Sequence, residues 1–119
     1  MQPNDYPEIR DAIRALCAQF PDEYHRRIDA ERGYPAEFVQ ALTEAGWMAA
    51  LIPEEYGGSG LSMAEASVIM EEINSCGGNS GACHGQMYVM NAIVRSGSEA
   101  QKQQYLPRIA SGALRLQSM

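Results

Sequence analysis

Cys83 and His84 are adjacent, and a thiol beside an imidazole could serve as a nucleophilic dyad or as half of a metal site. A dyad needs its two side chains to meet, and neighbours on a helix diverge. A zinc site needs about four ligands, and Cys17, His25 and Cys76 show no ligand spacing. Glu71 and Glu72 could be an acid/base pair, but on a helix they point about 100° apart and cannot both face one substrate. They are expected to be two solvated carboxylates. Glu54 and Glu55 have no basic or metal-binding neighbour and read as a surface turn. Gly57-Gly58-Ser59-Gly60 lies between an apolar run and a helix, where a phosphate loop would be, yet it matches neither G-x-G-x-x-G nor a terminal Gly-Lys-Ser/Thr. It is read as a tight structural turn. These residues identify no catalytic group and no metal ligand set. Two features stay open between packing and a ligand pocket. His84 is flanked by Gly81 and Gly85, which let a ligand or another helix approach closely. Met70, Met87, Tyr88 and Met90 could line an adaptable apolar pocket, although such a stripe at helical spacing is more often core.

The elements that must position these residues are helices separated by breakers. Asp5 and Glu8 form a capping pair around Pro7, and Ile9, Ile13, Leu16, Cys17 and Phe20 then mark one helical face closed by Pro21. Residues 22–34 are charged and suggest a short helix, then a loop through Gly33. Pro35 opens the next helix, with Phe38, Val39, Leu42 and Ala45 as its buried stripe and Gly46 as its left-handed cap. The apolar run Trp47–Ile52 is brief and reads as a buried extended segment, followed by a loop over Pro53–Gly60. Ser62 with Glu65 makes a capping box for a helix whose apolar face is Ala66, Ile69, Met70 and Ile73. Gly77-Gly78 ends it. A longer helix, about Ser80 to Ser96, carries Cys83, Met87, Met90, Ile93 and Val94 on one side and stops at Gly97. Ser98 with Gln101 repeats the capping box for a last helix, bearing Tyr105, Leu106 and Ile109 and ending at Gly112. Pro107 should kink or weaken it. In residues 113–119, Leu114 and Leu116 alternate with Arg115 and Gln117, the period of a strand. A lone strand cannot satisfy its own backbone, so the sequence reads as stopping where a sheet begins. The expected fold is all-α, an up-down bundle of about five helices with a loop after Ile52 and the start of a β-strand at the C-terminal end. Residues 1–112 form the helical domain and 113–119 open a further β-domain.

Composition narrows the functional classes. In 119 residues there is room for one domain and one core. A net charge of −6, with Arg26-Arg27 ringed by Asp22, Glu23 and Asp29, argues against a nucleic-acid surface. No run approaches the roughly 20 apolar residues of a membrane span, and the N-terminus lacks the parts of a signal peptide. Three cysteines without CxxC spacing suit a reduced intracellular compartment.

The order of the pieces resembles one family. Residues 46–62, with Ile52-Pro53-Glu54-Glu55-Tyr56-Gly57-Gly58-Ser59-Gly60-Leu61-Ser62 at their centre, are similar to the "I-P-E-E-Y-G-G-x-G-L-S" element of acyl-CoA dehydrogenase N-terminal domains. Glu71-Glu72-Ile73 resembles that family's E-E-apolar element. Residues 97–107 resemble its "G-[ST]-x-x-Q-K-x-x-Y-L-P" segment, and Ala110-Ser111-Gly112 resembles the turn after it. The resemblance runs from about Tyr6 to Met119. It implies the helical part of an FAD enzyme that dehydrogenates an acyl-CoA thioester and passes electrons to an electron-transferring flavoprotein, in a homodimer or homotetramer. The implied compartment is the bacterial cytoplasm or the mitochondrial matrix. The family's base, a glutamate, belongs to a C-terminal domain, so no catalytic residue is assigned here and the chain alone is expected to be inactive. The resemblance places Gly81, His84, Met87 and Tyr88 in the acyl-chain lining, where a short, branched or partly polar acyl group is expected. It places Gln117, Ser118 and Met119 beside the flavin. An acyl-CoA oxidase or flavin monooxygenase on the same scaffold, or a non-catalytic helical interaction module, are the alternatives.

Overall fold

The computed structural model describes residues 6–78 and 80–114. Six α-helices follow one another: α1 (Pro7–Cys17), α2 (Asp22–Ala30), α3 (Ala36–Glu44), α4 (Met63–Ser75), α5 (Ser80–Ser96) and α6 (Glu99–Ser111). No strand occurs among the described residues. The fold is all-α, with one helix more than the periodicity suggested. The addition is α2, the short helix suggested within the charged residues 22–34 but not counted among the five, and it buries no residue.

Capping chemistry places the later helices. Ser62 Oγ accepts from the Glu65 N–H at 3.2 Å while the Glu65 carboxylate accepts from the Ser62 N–H at 3.0 Å. Ser98 and Gln101 repeat the exchange at 3.2 and 2.9 Å. Two orphan donors are satisfied at each helix start. The start of α1 differs from expectation: Tyr6 occupies the N-cap with φ +56° and makes no side-chain cap bond, while Asp5 lies outside the described residues. Gly46, at φ +88°, ends the α3 region as a left-handed cap. Ala45, expected inside, is exposed beyond the last helical turn, and Thr43 is buried instead, its hydroxyl donating to the Val39 carbonyl at 2.7 Å. Helix α6 runs unbroken through Pro107. Both Pro107 and Gln103, the residue whose carbonyl loses its N–H partner, face solvent, where water can take the freed acceptor.

The segment after Gly46 is not extended. Trp47–Ala49 forms a 3-10 turn, and Met48, Ala49, Ala50 and Ile52 are all buried. A short continuous apolar run carries no period that distinguishes strand from helix. A second 3-10 turn, Glu54–Tyr56, lies in the loop that follows. That loop folds back on the first turn: the N–H groups of Ser59, Gly60 and Leu61 donate to the carbonyls of Ala49, Ile52 and Ala50 at 3.0, 2.9 and 2.7 Å. Gly58 makes the closest approach, since a Cβ there would stand 2.1 Å from the Ile52 carbonyl oxygen. At the other end, the Leu114 N–H caps Arg108 at 3.0 Å, and the rest of the expected strand lies outside the described residues.

The core has two parts. One gathers Ile13, Cys17, Phe38, Leu42, Ile69 and Ile73 between α1, α3 and α4, reaching Cys83 and Met87 of α5. The other gathers Ala49, Ile52, Tyr56, Met90, Leu106 and Ile109. Helix α5 contributes to both. Gly58→Ala is expected to destabilise the chain by about 2–3 kcal/mol, because the loop cannot retreat without giving up its inward hydrogen bonds. Gly33→Ala, whose Cβ would meet nothing nearer than 3.8 Å, should stay within about 0.5 kcal/mol of the parent. Denaturant unfolding of both variants checks the contrast, and equal losses would contradict it.

Candidate functional site

The two glutamates of α4 separate into different environments, and one of them corrects the sequence reading. Glu72 is buried, not solvated, because two arginines of α1 reach it across 58 and 62 residues of sequence. Arg10 Nη1 donates to Glu72 Oε1 at 3.0 Å, and Arg14 donates through Nε and Nη2 to the two carboxylate oxygens at 2.9 and 3.0 Å. The fork-on-carboxylate arrangement is the strong form of such a pair. Arg10 and Glu72 leave only 3% and 6% of their side chains exposed. Glu71, at 51% exposure, accepts a further bond from the same Arg10 Nη1 at 3.1 Å. One buried guanidinium thus holds both adjacent carboxylates. The Arg14 hydrogen bonds, helped by Arg10 and opposed by burial, hold the Glu72 carboxyl below the usual carboxylate range.

Helices α4 and α5 are antiparallel neighbours joined by a short connection, and their outer seam opens into a groove of about 570 Å³. Leu51, Ala66, Met70 and Met87 form its apolar floor, with Ala66 and Met87 buried. Met63 and Tyr88 stand at the lip, 52% and 66% exposed. Glu71, Asn74, Ser80 and His84 line the end nearest the connection. The His84 and Tyr88 rings lie 6.0 Å apart, tilted by 35°.

The residues singled out in the sequence divide accordingly. His84, Met87 and Tyr88 line this groove, while Gly81 is exposed in the first turn of α5, outside its lining. Met90 is core. Gln117, Ser118 and Met119 lie outside the described residues. Cys83 points into the core while His84 faces outward, so the adjacent pair does not form a dyad. The described residues contain no group of three or more His, Cys, Asp or Glu suited to a metal ion. The Gly57–Gly60 loop turns its N–H groups onto carbonyls of residues 49–54, leaving no cradle for a phosphate. Glu54 and Glu55 are exposed, as expected of a surface turn, and Tyr56 beside them donates its hydroxyl to Glu99 at 2.7 Å. That bond, with burial, pushes the Tyr56 phenol up to about 12. Sequence reasoning missed Arg10, Arg14 and Glu71 as one assembly. The available signal was two arginines one turn apart on the otherwise apolar-striped α1.

A sequence profile described as "Acyl-CoA dehydrogenase, N-terminal domain" matches residues 3–113. The chain belongs to the acyl-CoA dehydrogenase N-terminal domain family. Among curated members it is 34% identical over 117 residues to isovaleryl-CoA dehydrogenase, mitochondrial, of Pongo abelii, covering 92% of this chain and 28% of that protein. It is 32% identical over 111 residues to the probable acyl-CoA dehydrogenase FadE25 of Mycobacterium tuberculosis strain H37Rv, with the same coverage. It therefore spans little more than a quarter of the length of these relatives. A chain solved in work on the electron transferring flavoprotein of Acidaminococcus fermentans superposes with a TM-score of 0.81 at 25% identity, covering 97% of this chain and 31% of that one. Among the described residues no helix is long and apolar enough to cross a membrane.

Two predictions follow from the buried charges and thiols. Glu72→Ala takes from Arg10 its buried carboxylate and leaves it the exposed Glu71, and should cost about 3 kcal/mol, the low end for breaking a buried pair because Arg14 is open to water. Glu71→Ala should cost about 1 kcal/mol or less. Since the folded-state pKa of Glu72 is lowered, its contribution is complete above the ordinary value of 4.5 and is lost as pH falls through the lower folded value. Urea titrations at pH 7 and across the acid range should show Glu72→Ala losing this acid limb, and an unchanged limb would refute the assignment. Burial pushes the Cys83 thiol up to about 12 and, with Cys76 beside it, raises that of Cys17. Iodoacetamide should therefore label half-buried Cys76 first, and Cys17 and Cys83 only after denaturant is added. Rapid labelling of all three in the native state would contradict this.

Proposed function

We propose that this chain is the helical part of an FAD-dependent acyl-CoA dehydrogenase, which introduces an α,β double bond into an acyl-CoA thioester, and that the α4–α5 groove is one wall of its acyl cavity. The observation that carries the reading is the groove itself: a mostly apolar trough with His84, Met87 and Tyr88 in its lining, in a member of this family. Apolar walls with a few polar groups are what an acyl chain requires. Met87 and Ala66 exclude water from the floor, and His84 and Tyr88 shape the rim. Gly81, one helical turn before His84, leaves the approach to this rim free of a side chain.

The proton-abstracting base is not in this part of the protein. Glu72 is neutralised by two arginines and buried, and Glu71 is tethered to Arg10, so neither is poised to take a proton from carbon. The redox capacity of the reaction comes from bound FAD, which Gln117, Ser118 and Met119 would help to hold. The acceptor is an electron-transferring flavoprotein, the working form a homodimer or homotetramer, and the compartment the bacterial cytoplasm or the mitochondrial matrix.

The test uses a protein spanning the relatives' full length, loaded with FAD. Anaerobic acyl-CoA should bleach its flavin absorbance, whereas the 119-residue chain alone should give no turnover. His84→Trp, which fills the groove from an exposed position, should lower kcat/KM for the longer acyl chains by roughly tenfold and spare the shortest. An unaltered chain-length profile would remove the groove from the acyl cavity.

A further inference from the structure

The groove is polarised along its length. Helices α4 and α5 run antiparallel, so the late residues of α4 lie level with the early residues of α5. The end toward their connection carries Glu71, Asn74, Ser80 and His84, whereas Leu51, Met63 and Ala66 occupy the other end. There, Ser67 turns its hydroxyl back to the Met63 carbonyl at 3.0 Å, which leaves Asn91 as the amide at that end. Two of the side chains at the polar end have partners of their own. Glu71 is fixed by buried Arg10 at 3.1 Å through Oε1, so Oε2 keeps its accepting capacity. The Ser80 hydroxyl donates to Asn74 Oδ1 at 3.3 Å, which orients the Asn74 amide and leaves its N–H groups free to donate. His84 offers a ring nitrogen of either sense.

Donor and acceptor thus stand together beyond an apolar floor. A plain alkyl tail reaching this end would strip water from these groups without replacing the lost hydrogen bonds. A terminal carboxylate would meet the negative charge of Glu71. A neutral hydroxyl can donate to a carboxylate and accept from an amide or imidazole N–H at once, and this end offers both kinds of partner. We infer that the groove selects an acyl chain bearing a neutral hydroxyl distal to the thioester, read by Glu71, Asn74 and His84 at the end of the α4–α5 groove nearest the connection.

This inference rests on the acyl-cavity reading above and narrows its substrate class. The probes are hexanoyl-pantetheine and 6-hydroxyhexanoyl-pantetheine, titrated into the ¹⁵N-labelled protein that spans the relatives' full length and carries FAD, and into its Glu71→Ala variant. The hydroxylated probe is expected to bind roughly fivefold more tightly, as one or two additional hydrogen bonds allow. It should shift the amides of residues 71, 74 and 84 beyond the shifts caused by the plain probe. Glu71→Ala should abolish the preference while retaining binding of the plain probe, a readout that loss of folding would not mimic. If both probes bind alike, with shifts at Ala66, Met70 and Met87, the cavity reading stands and the hydroxyl selection is wrong. If neither probe moves any groove amide, the cavity reading fails and the selection fails with it.

Discussion

A carboxylate taken out of water must find positive charge, and in this chain that requirement joins the first helix to the fourth. Arg10 and Arg14 lie one turn apart on α1, and both close on Glu72. Such clusters add little net stability over apolar packing of the same volume. Their effect here is geometric, because two guanidiniums one turn apart meet a single carboxylate and tie this face of α1 to α4. Ile13 and Cys17 are thereby aimed inward against Ile69 and Ile73. The same Arg10 nitrogen reaches past the buried carboxylate to the exposed one. The interior charge network and the surface of the groove therefore share an atom.

The second constraint is the folding back of the glycine-rich loop. Its N–H groups are spent on the carbonyls of the preceding apolar turn, so the segment that looks most like a phosphate loop is the one least able to act as one. The loop instead holds Leu51 against the groove and buries Ile52 under α6. Tyr56 completes the tie by reaching the first turn of α6 at Glu99. The two parts of the core are linked through this loop and through α5.

What could be read from sequence was what depends on near neighbours. Ser62 with Glu65 and Ser98 with Gln101 are three residues apart, so both capping boxes announced themselves, as did the left-handed Gly46. The stripes of α1, α4 and α5 were legible for the same reason. Glu72 was misread because its partners lie 58 and 62 residues away and nothing beside it hints at them. The turn at Trp47–Ala49 was misread because a run buried on all sides carries no period. Helix α2 was only half legible because burial, the usual source of pattern, is absent from it. Within the site, the residues named from family resemblance fell partly in the groove, but its polar end depends on α4 and α5 meeting antiparallel, which no local pattern specifies.

Helix α2 carries a different consequence. It is held to the rest by ring edges, Tyr24 on Phe20 at 5.1 Å and His25 on Phe38 at 5.2 Å, and by the Tyr24 hydroxyl on Glu37 at 2.9 Å. No α2 residue is fully buried, and Tyr24 and His25 are its contacts with the first part of the core, so its attachment rests on few side chains. Amide exchange and proteolytic nicking would then begin in α2 at a free energy below that of global unfolding. The thinly attached α2 is thus the weakest link in a chain whose other five helices share the two parts of the core.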